Sequence, residues 1–456
     1  MRTTTLEKEN PLGTEPIFKL LVRFSVPAIV GMMVNALYNI VDRIYIGNSP
    51  SLGADGIAGI TIVFPIMIIL MAMGVLFGIG GATLFSIRLG QKEQAQAQEV
   101  MGNAFFLLIA SGLTFPVLGQ IFLTDILILF GASEQVLPYA TSYMRIIFFG
   151  ALFQVTNMGM NNFIRADGNP KIAMLSMFLG AGTNIVLDPI FIYALDWGMA
   201  GAAFATVISQ MVSFTWVLSY FLGKHSRVKL KLSTIRPRRH NTLLIISLGL
   251  PGFVLQITNS LLNIILNKSL LQYGGDLGIS AMGIVNSLHT LLIMPVIGIK
   301  QGVQPLISFN FGAKKYERVK EATKLGIISS TAVIMVGYLA TRFFPTTMVA
   351  MFNRDSALLE LGTFALTRWF LLTPLVGFQI IAGNFFQAIG KSRIALLLTL
   401  SRQGFFLIPS ILLFSHFFGL QGILYSAPIS DLLSSLLTAI FFIPGIRDLE
   451  KNARAI

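Results

Sequence analysis

Apolar stretches long enough to cross a bilayer recur along nearly the whole chain, and that property rules out most folds. Twelve can be counted, at about 17–46, 54–81, 94–122, 134–164, 170–195, 199–223, 241–272, 279–306, 320–344, 356–387, 392–417 and 421–444. Each supplies the roughly 20 apolar residues that a helix needs to span about 30 Å of hydrocarbon. In lipid every backbone N–H and C=O must be satisfied within the protein, so the stretches are predicted as helices and the chain as an all-α polytopic membrane protein. Composition agrees: 12% of residues are charged and the mean hydropathy is +0.75, whereas a soluble domain carries about 25% charged residues.

The basic residues gather in alternate connections: Arg88 and Lys92, Arg165 and Lys171, Lys224 to His240, Lys314 to Lys324, and Lys391 with Arg393. The remaining connections carry Asp55, Asp125, Glu134, Asp196, Asp276 and Asp355, with few cations apart from Arg342 and Arg354. By the positive-inside rule the basic loops and both termini are cytoplasmic. The net charge of +13 is accounted for in this way without nucleic acid, because the clusters lack interleaved stacking aromatics and form no separate basic domain. The chain has no cysteine and four scattered histidines, which excludes thiol chemistry, gives no metal-ligand spacing and leaves no cofactor to expect. The first apolar run is too long and wrongly flanked for a cleavable signal peptide, so it is expected to remain as a helix.

The longest hydrophilic connection, KHSRVKLKLSTIRPRRH, has seven Lys or Arg and no acid. It divides the chain into an N-terminal six-helix lobe (1–223), a basic cytoplasmic linker (224–240) and a C-terminal six-helix lobe (241–456). The linker is read as a solvated loop that sets topology, with contact to anionic membrane lipid as the alternative. The lobes repeat each other. Pro27, Asn35 and Asn39 recur as Pro251, Asn259 and Asn263 at a shift of 224, and Ser86, Gly90 and Lys92 recur as Ser308, Gly312 and Lys314 at a shift of 222. FIRADGNPK from Phe163 is echoed by FFQAIGKSR from Phe385, and Gly198, Gly201 and Ile208-Ser209 return as Gly419, Gly422 and Ile429-Ser430. An even number of helices per lobe makes the repeats parallel, related by a pseudo-two-fold axis along the membrane normal.

Within the first apolar stretch, PAIVGMMVNALYNIVDRIYIG, Asn35, Asn39 and Asp42 fall at i, i+4 and i+7, with Tyr38 four residues before Asp42. They form one polar stripe on a helix otherwise fit for lipid. A charge there costs about 2.5–3.5 kcal/mol on insertion scales, which makes an intramembrane carboxylate a functional candidate. Asn184 and Asp188 share a face of the fifth helix at i, i+4, and Pro189 follows, removing a backbone bond from the Ile185 carbonyl. Counted from the outer helix ends, Asp42, Asp188 and Thr206 lie at comparable depth, roughly 7–12 Å below the surface. The competing reading of the two acids is a static polar lock between helices, and that of Asn35, Tyr38 and Asn39 is interhelical hydrogen bonding.

NIVDRIYIG, NNFIRADGNPKIAM, NIVLDPIFIY, the paired GQKE and GAKK turns and the twelve-helix duplication together resemble the multidrug and toxic compound extrusion (MATE) family, nearest its MepA-like bacterial branch. The resemblance covers essentially the whole chain. It implies cation-coupled export of cationic or amphipathic drugs, with H⁺ or Na⁺ re-entry as the driving force, and a cation site at the positions of Asp42, Asn184, Asp188 and Thr206. Protonation of a crowded carboxylate pair, or Na⁺ held by the same Asp, Asn and Thr oxygens, both suit that chemistry.

The C-terminal lobe departs from the pattern. Asp42 maps onto Leu266, the fifth-helix pair has no acidic counterpart around Leu407 to Ser410, and Asp431 is the only acid there at depth. Lys268 is expected to snorkel, while Lys300 is either a second switch, a counter-ion or a snorkelling residue. Gln154, Asn157 and Asn161 form a polar stripe on the fourth helix that, with Lys300, Asn35, Tyr38 and Asn39, is a candidate lining of the substrate cavity. Its 37 Phe and 19 Met offer adaptable walls for bulky cations. The expectation is a monomeric antiporter of the bacterial cytoplasmic membrane and not an enzyme. The alternative is a flippase of lipid-linked oligosaccharide, whose anionic cargo would favour a cation-rich cavity. A channel would need a selectivity filter that the sequence does not offer.

Overall fold

The computed structural model describes residues 10–50 and 52–454, which are helical almost throughout, with no strand among them. The passes are α1 (Ile17–Gly47), α2 (Gly53–Gly90), α3 (Gln94–Ile121), α4 (Leu137–Ala166), α5 (Pro170–Ala194) and α6 (Gly198–Leu222). After the linker come α7 (239–274) and α8 (276–312), separated only at Gly275, whose φ of 59° and ψ of −160° break the helix. Next are α9 (Tyr316–Phe343) and α10, whose two pieces, Ser356–Trp369 and Pro374–Ala388, meet at 47°. The passes α11 (392–418) and α12 (420–454) are likewise divided at a glycine, Gly419, with φ 57°. Among the described residues twelve passes therefore run in two sets of six, as the hydropathy pattern predicts.

The repeat extends to backbone conformation. Of the nine left-handed residues among those described, six fall in pairs at nearly the repeat shift: Lys92 and Lys314, Gly168 and Gly390, Gly198 and Gly419. These turns set where each helix reverses, so the two sets share their connection geometry.

The halves meet where the basic loops lie, an end termed here the basic end. There α2 and α8 cross so closely that a Cβ on Gly90 would fall on the Phe309 carbonyl, and one on Gly312 on the Ile87 carbonyl. Gly90 maps to Gly312 and Ile87 to Phe309 at the same shift of 222, so the crossing is isologous about the pseudo-two-fold axis. Gly249 likewise meets the Leu76 carbonyl, and Gly298 meets the Ile29 backbone. Only residues without a side chain let helix backbones approach this far.

At this end each half lends its first helix to the other. Leu12, Ile17, Leu20, Leu21 and Phe24 are buried in one core with Ile299, Val303, Leu306 and Phe385 of the C-terminal half. Ile245 and Leu248, which match Leu21 and Phe24 at the shift of 224, are buried among Phe77, Met101 and Phe163 of the N-terminal half. The division at 223/241 therefore marks the chain but not the packing.

The linker is docked instead of solvated. Gln94 and Gln98, one turn apart on α3, hold the carbonyls of Arg227 and Lys229 at 3.2 and 2.6 Å. Asn103 holds the Arg238 carbonyl at 3.1 Å, and the Arg238 side chain pairs with Glu99 at 2.6 Å. Ser226, Val228 and Leu230 point in while Arg227, Lys229 and Lys231 point out, the period-2 pattern of an extended segment. Asp167, in the turn between α4 and α5, anchors its start by accepting from Tyr220 Oη at 2.5 Å, Arg227 N at 3.0 Å and Ser226 Oγ at 3.2 Å. Burial pushes the Asp167 carboxyl up to about 6 even though these donors pull it down.

Candidate functional site

Asp42 on α1 and Asp188 on α5 are both buried, at 9% and 0% exposure, and their carboxylates are within hydrogen-bonding reach of each other. Two carboxylates at that range repel unless a proton or a cation lies between them. Asn184, one turn before Asp188, donates from Nδ2 to Asp188 Oδ1 at 3.2 Å. The α5 backbone passes into a π-helical turn over Ile190–Ala194 directly after Pro189, a geometry that frees backbone groups and recurs at functional sites. One turn further from the basic end than Asp42, Tyr193 Oη donates to the Tyr45 carbonyl at 2.6 Å and fixes α5 against α1.

Thr206 on α6 closes the group through a residue that the sequence reading missed. Its hydroxyl donates to the Ala202 carbonyl at 3.0 Å, and the hydroxyl of Tyr143 on α4 lies beside it. Tyr143 is 2% exposed and sits beside Asp42, Asp188 and Tyr38. Asp42, Asn184, Asp188 and Thr206 are thus brought together, with Tyr143 among them. Three buried oxygens of this group, Asp42 Oδ1, Asp188 Oδ2 and Asn184 Oδ1, have no hydrogen-bond donor. Acceptors without donors suit a proton or a hard cation such as Na⁺. Among the described residues no cluster of three His, Cys, Asp or Glu exists, so the donor set is not that of a transition metal.

The other candidates are spread out. Asn35 and Tyr38 are half-buried on the Asp42 helix, and the Asn39 side chain lies outside the described residues. Gln154 and Asn157 are half-buried further down α4, each with a buried carbonyl oxygen lacking a donor. Eleven residues from Tyr143, Gln154 stands about 16 Å from it along the helix. Asn161 belongs to the helix packing: it donates to the Ala173 carbonyl at 2.9 Å and Ser176 Oγ at 2.5 Å, and accepts from Arg165 at 2.5 Å. Its neighbour Asn162 is the one that lines the cavity between the halves. Lys300 is half-buried on α8 beside Gln301, which reaches Met32 Sδ on α1 at 3.3 Å.

Nothing like this group exists among the described residues of the C-terminal half. Asp431 on α12 is buried, but its Oδ1 accepts from Arg402 Nε at 2.8 Å, and Ser430 bonds the Arg402 carbonyl. Arg402 sits in a second π-helical stretch, Ser401–Leu407. The carboxylate there is matched by a fixed cation, whereas no Lys or Arg among the described residues pairs with Asp42 or Asp188.

Two parallel six-helix repeats with a buried acidic pair in one of them are the architecture of a polytopic membrane transporter. The profile of the MatE family matches residues 27–190 and 251–413, one segment in each half. The chain belongs to that family. It is 30% identical over 95% of both chains to the multidrug export protein MepA of Staphylococcus aureus strain N315. Among solved structures it is similar to the MATE multidrug transporter DinF-BH, at 38% identity, TM-score 0.89 and coverage of 97% and 98%. It is also similar to an outward-facing multidrug resistance MATE transporter of the MOP superfamily, at 25% identity, TM-score 0.90 and coverage of 97% and 99%.

Proposed function

We propose that this protein is a secondary antiporter that exports amphipathic, mostly cationic organic compounds across a bacterial cytoplasmic membrane as a monomer. The basic end faces the cytoplasm, and inward H⁺ or Na⁺ drives export by alternating access. The reading rests on one observation: the three donorless oxygens gathered around Asp42 and Asp188. Loading that site with a cation relieves the repulsion between α1 and α5, and unloading restores it, which couples ion occupancy to helix packing. The names of MepA and DinF-BH support drug export as the cargo class.

Proteoliposomes with an imposed pH or sodium gradient and a fluorescent organic cation test this directly. Gradient-driven efflux that is lost in Asp42→Asn, with the variant still monodisperse, is the expected result, and the effective gradient names the ion. Absence of any gradient-driven cation movement, with movement of a lipid-linked anionic cargo instead, overturns it in favour of a flippase.

A further inference from the structure

Arg165 lies in the last turn of α4, only 6% exposed, and among the described residues no carboxylate comes within 4 Å of it. Its hydrogen bonds go to neutral amides, Asn161 Oδ1 at 2.5 Å and Asn162 Oδ1 at 2.9 Å. Buried charges are ordinarily paired, and a helix C-terminus returns less than the burial of an ion costs. An uncompensated guanidinium at this place therefore asks for a role.

Its position supplies one. Arg165 lines a cavity of about 20 Å³ between the two halves at the basic end, room for about one water molecule. The polar wall is Thr83, Ser86, Asn162, Gln301, Gln304 and Ser308, all uncharged, and Gln304 closes it across the halves by donating to Thr83 Oγ1 at 2.8 Å. At the repeat shift of 222 Arg165 maps onto Gln387, a buried neutral residue that donates to the Leu248 carbonyl at 2.7 Å. The cavity lining thus carries a single positive charge, from one half only, in a low-dielectric setting where its field is weakly screened.

We infer that Arg165 is an electrostatic plug, a fixed positive charge that keeps protons, sodium and cationic cargo from leaking through the closed basic end. The inference rests on the cation-export reading and its orientation. A narrow polar gap alone would pass water and hydrated protons, and an unpaired arginine is the device that bars cations from such a gap. An inside-negative potential would otherwise drive cations inward through it.

The test needs no cargo, so it is separable from failure of the antiport reading. Proteoliposomes with an inside-negative potassium diffusion potential report inward proton leak through an entrapped pH dye, and glycerol permeation through light scattering. Arg165→Gln is expected to raise protein-dependent proton leak about tenfold or more without changing glycerol flux, and Arg165→Lys to stay near wild type. Ser86→Asp, which supplies a counter-ion inside the cavity while keeping the arginine, is expected to raise the leak in the same way and covers the case of an unstable Arg165→Gln. Unchanged proton leak in a folded Arg165→Gln or Ser86→Asp variant overturns the inference. A joint rise of proton and glycerol flux also overturns it, because the residue would then only hold the seal shut.

Discussion

Adding one methyl group at Gly90 tests the seal between the halves. The obstacle to that methyl is the Phe309 carbonyl, part of the α8 backbone, so no side chain can rotate away and relief requires the helices to part. Overpacking of this kind costs about 1–3 kcal/mol. It acts only in the state in which α2 and α8 cross, so the closed-to-open equilibrium at the basic end should move by about 5- to 150-fold. Gly312→Ala should act equally, since its methyl meets the Ile87 carbonyl at the matching position. The chain contains no cysteine, so a single Ser86→Cys at the cavity, whose hydroxyl holds no hydrogen bond, gives a clean reporter. Its labelling by a membrane-impermeant maleimide from the basic side of inverted vesicles should accelerate in Gly90→Ala and in Gly312→Ala. Gly283→Ala, on α8 with nothing within 4 Å of the added Cβ, should leave the rate alone. Background labelling in both seal variants would refute the argument that this glycine crossing holds the basic end closed.

Three further outcomes are expected. Tyr143→Phe removes a buried hydroxyl from beside Thr206 and the two carboxylates, a polar group worth about 1 kcal/mol, so the concentration of coupling ion giving half-maximal transport should rise about fivefold without loss of maximal rate. Asp431→Asn leaves the Arg402 charge buried without its partner and should cost about 3–5 kcal/mol of stability, read as a large drop in the thermal midpoint in detergent. Asp167 takes up its proton near pH 6 when folded against 3.8 unfolded. The folded state therefore binds more protons between those values, and stability falls by about 3 kcal/mol as pH rises from 4 to 6, then levels off. The difference in thermal stability between wild type and Asp167→Asn should carry that slope, and parallel pH profiles would count against it.

The fold was legible because each level of pattern pointed the same way: apolar runs of spanning length, basic connections alternating with acidic ones, and a shift of 221–224 that recurs in the left-handed turns. Asp42, Asn184 and Asp188 were legible because acids and amides at helical spacing stand out in an apolar chain, whereas Thr206 entered only through the family resemblance. Tyr143 did not stand out, since in YATSYMRIIFFG a tyrosine looks like packing and its role depends on a hydroxyl reaching α6. The Arg402 partner of Asp431 was missed although a lone buried acid demands a counter-ion. The docked linker left a trace that charge counting hid, the alternation of Ser226, Val228 and Leu230 with Arg227, Lys229 and Lys231. Asn161 shows the limit of periodicity: it shares a face with Gln154 and Asn157, yet its amide is consumed by α5 and Arg165.

The exchange of first helices bears on how the protein is made. When the first six helices have left the ribosome, the N-terminal half still has a gap where Ile245 and Leu248 belong, and Leu12 to Phe24 have no surface to pack on. Its core closes only after the seventh helix inserts, and the borrowed N-terminal segment finds its place only after the eighth. The halves are accordingly not independent folding modules despite their duplicated pattern. A chain of one repeat would meet the same gap, and a second copy offering its own first helix in return would fill it, so the pseudo-symmetry axis is also the axis of a closed dimer of single repeats.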